Sequence, residues 1–219
     1  MKRSFFSGLM DVLFPPKCEF CRSVLKTGEK DYCSKCERDL PYTEGEKCKQ
    51  KGEFFEFCVS PLYYEDTVRQ SLLRYKFEGK VGYSRGYARL MAKTVREQLK
   101  GKYDLITWVP LSERREKKRG YDQAMLLAMA LAVELDDVAI ETLRKTQDIP
   151  AQSGIDNKEK RQANVIGVYE VVDAELITGQ KVLIIDDIIT TGSTLSECAR
   201  ILRMAGADSV VCATIAKGR

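Results

Sequence analysis

The densest chemistry in the chain lies in thirteen residues, Val182-Leu-Ile-Ile-Asp-Asp-Ile-Ile-Thr-Thr-Gly-Ser-Thr194. Val182–Ile185 reads as a buried strand that delivers Asp186 and Asp187 to its carboxyl end, where parallel α/β sheets bind ligands. The next turn holds Thr190, Thr191, Gly192, Ser193 and Thr194 and leads straight into a helix. Glycine lets the backbone approach a ligand, and hydroxyls with successive N–H groups can surround an anion at the helix N-terminus. The helix dipole supplies only about 0.3–2 kcal/mol, so the hydrogen bonds must supply most of the grip. Two carboxylates would repel that anion. The conflict resolves if they face hydroxyls or a divalent cation, and a sugar phosphate with a vicinal diol and Mg2+ meets both demands. The plain alternative is a strand–turn–helix with a Ser or Thr cap and two exposed acids. Either feature alone would favour that alternative; the two together do not.

A second chemical signal stands near the amino end. Six of the eight cysteines fall in the first 58 residues, and Cys18-x2-Cys21 and Cys33-x2-Cys36 form two pairs 11 residues apart. Each pair can make a knuckle, and two knuckles make a closed four-thiolate site, the usual arrangement for structural Zn2+. Large apolar residues are few here, so the metal would supply the missing stability, of order 10 kcal/mol apparent. Two disulfides are the alternative, which a reducing compartment disfavours. Cys48 and Cys58 have no such spacing and read as remnants of a second knuckle or as free thiols. Cys198 and Cys212 read as small buried hydrophobes.

Arg114, Arg115, Lys117, Lys118 and Arg119 put five cations into six positions. Guanidinium groups grip phosphate oxygens in pairs, so pyrophosphate is one partner; a solvated charge run and nucleic-acid backbone are the others. Exclusions narrow the class. The chain has 219 residues and no histidine, which removes Ser-His-Asp triads and imidazole metal sites. Its longest apolar run, Ala124–Val133, has ten residues, against about 20 for a membrane span. Net charge is +4, with 36 basic and 32 acidic side chains, so nucleic acid is neither demanded nor excluded. Met1–Phe14 looks like a leader, but Asp11 interrupts it and no cleavage site precedes Pro15. It is expected to be a short amphipathic helix on a cytoplasmic chain.

The elements that must position these residues follow from periodicity. Thr43–Gly52 is polar and silent. Strands are expected at Val59–Tyr64, Leu105–Val109, Val138–Leu143, Val165–Val172, Val182–Ile185 and Ser209–Ile215. Helices are expected after Asp66, around Tyr87–Leu99, over Tyr121–Leu135 with nearly all faces buried, and over Thr194–Met204. Strands alternating with helices argue a parallel α/β sheet covered on both faces.

With those residues in view, Val182–Thr194 resembles the phosphoribosyl-pyrophosphate (PRPP) motif of type I phosphoribosyltransferases. Pro110–Ala124 resembles the "PLxxxRxxxRGFNQA" stretch of the ComF (ComFC-like) competence family. Gln152, Ile155, Arg161 and Asn164 are similar to a second stretch of that family, and Tyr75-Lys-Phe-Glu-Gly79 and the four-cysteine head fit it as well. Asp122 stands where the family usually has Asn. The resemblance implies a type I phosphoribosyltransferase fold over residues 59–219 behind a zinc head over residues 1–58. It implies that Asp186 and Asp187 hold the ribose hydroxyls and residues 190–194 the 5-phosphate. Leu111, Ser112, Arg115 and Arg119 would serve pyrophosphate, and Gln152 and Arg161 would sit on a loop that closes over PRPP, with Lys158 and Lys160 as further candidate phosphate contacts. Cofactors would be structural Zn2+ and Mg2+ arriving with PRPP. Two functions stay open: transfer of phosphoribosyl to an unknown acceptor, or a non-catalytic PRPP-, nucleotide- and single-stranded-DNA-binding accessory role in transformation. The implied partners are PRPP, single-stranded DNA, a competence helicase or uptake machinery and a second copy of the chain. The inner face of the membrane would be reached only through partners.

Overall fold

Val182–Ile185 offer no polar side chain to water, so their strand needs neighbours on both edges and cover on both faces. The computed structural model describes residues 15–146 and 167–219 and meets that need. In chain order its elements are α1 (Ser34–Asp39), a 3-10 turn (Gly45–Cys48), β1 (Lys49–Gln50), β2 (Cys58–Val59), β3 (Leu62–Tyr63), α2 (Asp66–Phe77) and α3 (Tyr83–Gln98). Then come β4 (Leu105–Trp108), α4 (Glu113–Arg119), α5 (Gln123–Leu135), β5 (Leu143–Lys145), β6 (Tyr169–Val171), β7 (Lys181–Ile189), α6 (Ser193–Met204) and β8 (Ser209–Lys217). The main sheet runs β1-β2-β8-β7-β4, with β3 also on β8. All its pairs are parallel except β1 with β2.

Alternate residues of β7 and β8 feed two cores, as a pleated strand requires. Leu183, Ile185, Val211 and Ala213 face α3 and α5, with Met91, Val95, Leu127 and Leu131. Val182, Ile184, Val210 and Cys212 face α6, with Leu195, Cys198 and Leu202. The mostly parallel α/β architecture read from the alternation of elements is therefore present.

Several local expectations are corrected. Val59–Tyr64 is not one strand but two, because Pro61 has no N–H to give the ladder. Val138–Leu143 makes only a bridge from Ala139 to Ile106; the chain then turns off, and Leu143–Lys145 pairs antiparallel with β6 instead. Its acids explain this, since Asp137 and Glu141 stay exposed and leave only scattered residues to bury. Thr43–Gly52 is not silent but holds the 3-10 turn and β1. The basic run is helical, as α4, with no buried residue. In α5 the outer face is open, with Val133 75% exposed. The expected amphipathic helix of the first fourteen residues lies outside the described residues.

The cysteine-rich head is seated on α2 and α3. Phe20 packs against the rings of Tyr32 and Tyr87, centroids 5.8 and 6.0 Å apart. Ser71 Oγ and Arg74 Nη2 both donate to the Glu19 carbonyl, and Arg74 Nη2 also reaches that of Phe20, at 2.5, 2.9 and 2.6 Å. Arg22 donates to the Tyr83 hydroxyl at 2.9 Å, and Arg89 Nε to Asp31 at 2.7 Å. The closest approach is at Gly86, where a Cβ would fall 2.1 Å from Glu19 Oε2 and 2.9 Å from Asp31 Cβ. Glu19 Oε2 is the end of a buried side chain with no hydrogen-bond partner among the described residues, but Asp31 meets the site through its Cβ and is held by Arg89, so the space is not cleared without moving the head. Gly86→Ala is therefore expected to cost about 1–3 kcal/mol despite alanine's better helix propensity. Thermal melting should show a midpoint lowered by a few degrees; a midpoint at or above wild type would mean the head yields freely.

Candidate functional site

β7 runs on beyond β4, whose last residue Trp108 pairs with Ile185, and its end opens a cleft of about 390 Å3. Asp186, Asp187, Thr190 and Thr194 line it from β7 and the following turn. Leu111, Arg115 and Arg119 line it from the segment after β4. Seven residues singled out in the sequence thus meet at one place. Thr191, Gly192 and Ser193 form the turn behind them. Ser112 is buried and lines an adjoining groove with Arg114, Lys117, Arg144 and Lys145. Gln152, Arg161, Lys158 and Lys160 lie outside the described residues.

In the turn the first helical N–H, that of Ser193, goes to Thr191 Oγ1 at 3.4 Å. Gly192 takes φ +79°, open to glycine at little cost, and serves as N-cap of α6 without a side-chain cap bond. Thr191 and Ser193 hydroxyls bond each other at 2.9 Å, so the loop is ordered from within. Two residues from the exit of the head support it from behind. Gln50 Nε2 donates to the Thr190 carbonyl at 2.9 Å. The buried Phe55 ring lies beneath Gly192, 3.6 Å from where a Cβ would stand. The opposite wall is fixed by Asp122. One of its oxygens accepts the Ala124 and Met125 N–H groups and caps α5; the other accepts the Leu111 N–H at 2.8 Å. An acceptor is needed at both ends, which a carboxylate supplies and an amide cannot.

The acid pair has unequal surroundings. Asp187 is 3% exposed, and its Oδ2 lies 2.9 Å from Lys76 Nζ. Burial works against the Lys76 charge, but the Asp187 carboxylate outweighs it and holds the ammonium above the ordinary lysine value. Asp186 accepts the Asp187 N–H at 2.8 Å. Loss of hydration, and then the Asp187 charge, push the Asp186 carboxyl up to about 8.

Lys76 is one of the residues that sequence reasoning missed, with Lys145 and Tyr169 in the lining and Gln50 and Phe55 behind the loop. Tyr75-Lys-Phe-Glu-Gly79 was read only as a resemblance, yet each of its first three residues works at the cleft. Tyr75 donates to the Gln123 carbonyl at 2.7 Å, Lys76 meets Asp187, and the Phe77 ring lies 5.1 Å under the Arg119 guanidinium. One signal was available. Lys76 stands four residues after the buried Leu72, on the inward face of α2, where a lysine needs a partner.

The second centre is the head. The sulfurs of Cys18, Cys21, Cys33 and Cys36 all lie within 4.8 Å of one another. Cys21 and Cys33 Sγ are 3.6 Å apart, close to the roughly 3.8 Å edge of a tetrahedron with 2.3 Å zinc–sulfur bonds. Cys21 and Cys33 N–H groups point at Cys18 Sγ, at 3.5 and 3.4 Å, as donors to a thiolate do. The residues fit a structural zinc ion. Cys48 and Cys58 are buried elsewhere and join no metal-binding cluster among the described residues, and Cys198 and Cys212 are fully buried core residues. Among the described residues no helix is long and apolar enough to cross a membrane.

Two domain families match parts of the chain. Residues 117–219 match the phosphoribosyl transferase domain, and residues 9–66 the double zinc ribbon domain. The chain is 29% identical to Competence protein F of Haemophilus influenzae, over 88% of this chain and 86% of that protein. It is 28% identical to the DNA utilization protein YhgH of Escherichia coli K12, over 90% and 94%. It is 27% identical to Competence protein ComFC of Bacillus subtilis, over 84% and 77%.

Two outcomes follow. Metal analysis should find one zinc per chain, and Cys18→Ser should lose both the metal and several degrees of melting temperature. A variant with full zinc and wild-type stability would refute the four-thiolate site. For Asp186 the folded value lies above the ordinary one, so the folded state holds the extra proton between about 4 and about 8. Stability from this group is present at the acid end and is lost as pH rises through 8. Melting from pH 6 to 9 should therefore show a decline that Asp186→Asn removes.

Proposed function

For a homologue of competence protein F and ComFC that carries a phosphoribosyl transferase domain behind a double zinc ribbon, we propose a PRPP-binding cleft with phosphoribosyl transfer as its reaction. The single observation that carries this reading is the meeting, in one recess, of the Asp186–Asp187 pair, Thr190 and Thr194 of the hydroxyl-rich turn, and the Arg115–Arg119 wall. The recess is of ligand size, and its charges are segregated in the pattern a pentose phosphate needs.

Each group has a task. The N–H groups and hydroxyls of residues 190–194 hold the 5-phosphate, where the dipole of α6 favours negative charge. The carboxyl groups of Asp186 and Asp187 bond the ribose hydroxyls and fix the sugar plane. Arg115 and Arg119, with the Leu111–Ser112 peptide, hold the departing pyrophosphate. Arg119 is held in place by Phe77 and by a bond to Gln123. When bound, Mg2+ adds charge stabilisation of the pyrophosphate oxygens. The bond from ribose C1 to pyrophosphate breaks as the acceptor nitrogen attacks, so positive charge develops at C1 beside the acid pair. Positioning and fixed charges supply the rate enhancement, and no histidine is needed. The relatives' names place those proteins in competence and DNA utilization, and we extend that setting to this chain.

The test is a thermal shift with Mg-PRPP, followed by pyrophosphate release over a panel of bases. Wild type should be stabilised by about 2–4 kcal/mol at saturating ligand. Asp186→Ala with Asp187→Ala should lose most of that shift. Release with one base identifies the acceptor, whereas binding without release in any mixture makes the protein a non-catalytic PRPP binder. No shift in wild type would discard the cleft as a PRPP site.

A further inference from the structure

Lys76 enters the cleft from the last turn of α2, an element separate from the strand and turn that carry the acids and hydroxyls. Its backbone is pinned on both sides. Tyr121 donates to the Tyr75 carbonyl, Tyr75 donates to the Gln123 carbonyl, and Phe77 is covered by Arg119. The ammonium itself ends a long stem that is 23% exposed, against 5% for the Asp187 side chain it touches. The carboxylate is thus the fixed partner and the lysine the adjustable one.

A phosphate entering this cleft meets the acid pair at its floor, with Asp187 buried against Lys76. With Lys76 on Asp187, one negative charge is already cancelled from within the chain. Arg115, Arg119 and Lys145 line the same recess, so its balance is positive before any metal arrives. Both acids still line the recess. The pyrophosphate of PRPP has its own need for a divalent cation, but a pentose carrying only a 5-phosphate has none.

We propose that Lys76 is a built-in counter-cation of the acid pair, and that through it the cleft accepts a ribose 5-phosphate group without a divalent metal. The inference rests on the PRPP reading of the cleft and adds a specificity-determining residue to it. Mg2+ and the Lys76 ammonium are then alternative partners for the same carboxylate. The pentose 5-phosphate end of a ligand binds under either, while the pyrophosphate end requires the metal.

The experiment is calorimetric titration of the zinc-loaded full chain with ribose 5-phosphate, in buffer with Mg2+ and in buffer without it. Wild type should bind in both, with affinities within about threefold. Lys76→Met should lose about tenfold or more without Mg2+ and recover with it, while Lys76→Arg should stay near wild type in both. Melting curves establish that each variant is folded; if Lys76→Met is not, the metal dependence of wild type and Lys76→Arg still decides. Wild type that binds ribose 5-phosphate only with Mg2+, or folded Lys76→Met that binds as well as wild type without it, overturns the proposal. Mg-PRPP is titrated in parallel, because a wild type that fails to bind that compound removes the underlying reading instead.

Discussion

A carboxylate withheld from water must find its partner inside the protein, and Asp187 imposes that need on everything around it. Its strand is laddered to β8 through Asp186 and Ile188 on either side of it, so backbone movement cannot relieve it. The relief comes from Lys76, and that fixes where α2 must end. Tyr75, Tyr121 and the Gln123 carbonyl then lock the end of α2 to the start of α5. Asp122, which begins α5, holds Leu111 in turn. The two walls of the cleft are therefore parts of one connected set of polar bonds, each satisfying a group that burial has cut off from water.

The head is joined to that set at two places. Glu19, Phe20 and Arg22 sit on α2 and α3, the helices that present Lys76 and build the larger core. The segment leaving the head becomes β1, takes two bonds from Lys217 Nζ at the end of β8, and sends Gln50 and Phe55 behind the hydroxyl-rich turn. The four-cysteine head thus organises a part of the chain whose exit supports the turn of residues 190–194. The metal centre and the cleft are chemically unrelated, yet the backbone between them serves both.

Much of this was legible in the residues. The run of four apolar side chains before two acids could only be a covered strand, and its position set the site. The paired cysteine spacing announced a four-sulfur cluster because the knuckle geometry is local. What stayed hidden was set by tertiary partners. Nothing near Lys76 in sequence names Asp187, 111 residues away. Gln50 and Phe55 lie in a stretch with no periodicity, and their roles exist only because β1 is drawn onto the sheet edge. The misread strand at Val138–Leu143 failed for a related reason: its propensity was adequate, but exposed acids left it one bridge rather than a ladder.

The missing side chain at Gly86 also bears on how such proteins can be recombined. Head and body meet there with no spare volume, so the two are a matched pair cut to each other's contour. A zinc ribbon borrowed from a distant cousin would have to bring its own bulge to fit the notch, or arrive with a reshaped helix. Chimaeras joined at the linker alone would carry correct parts that do not seat.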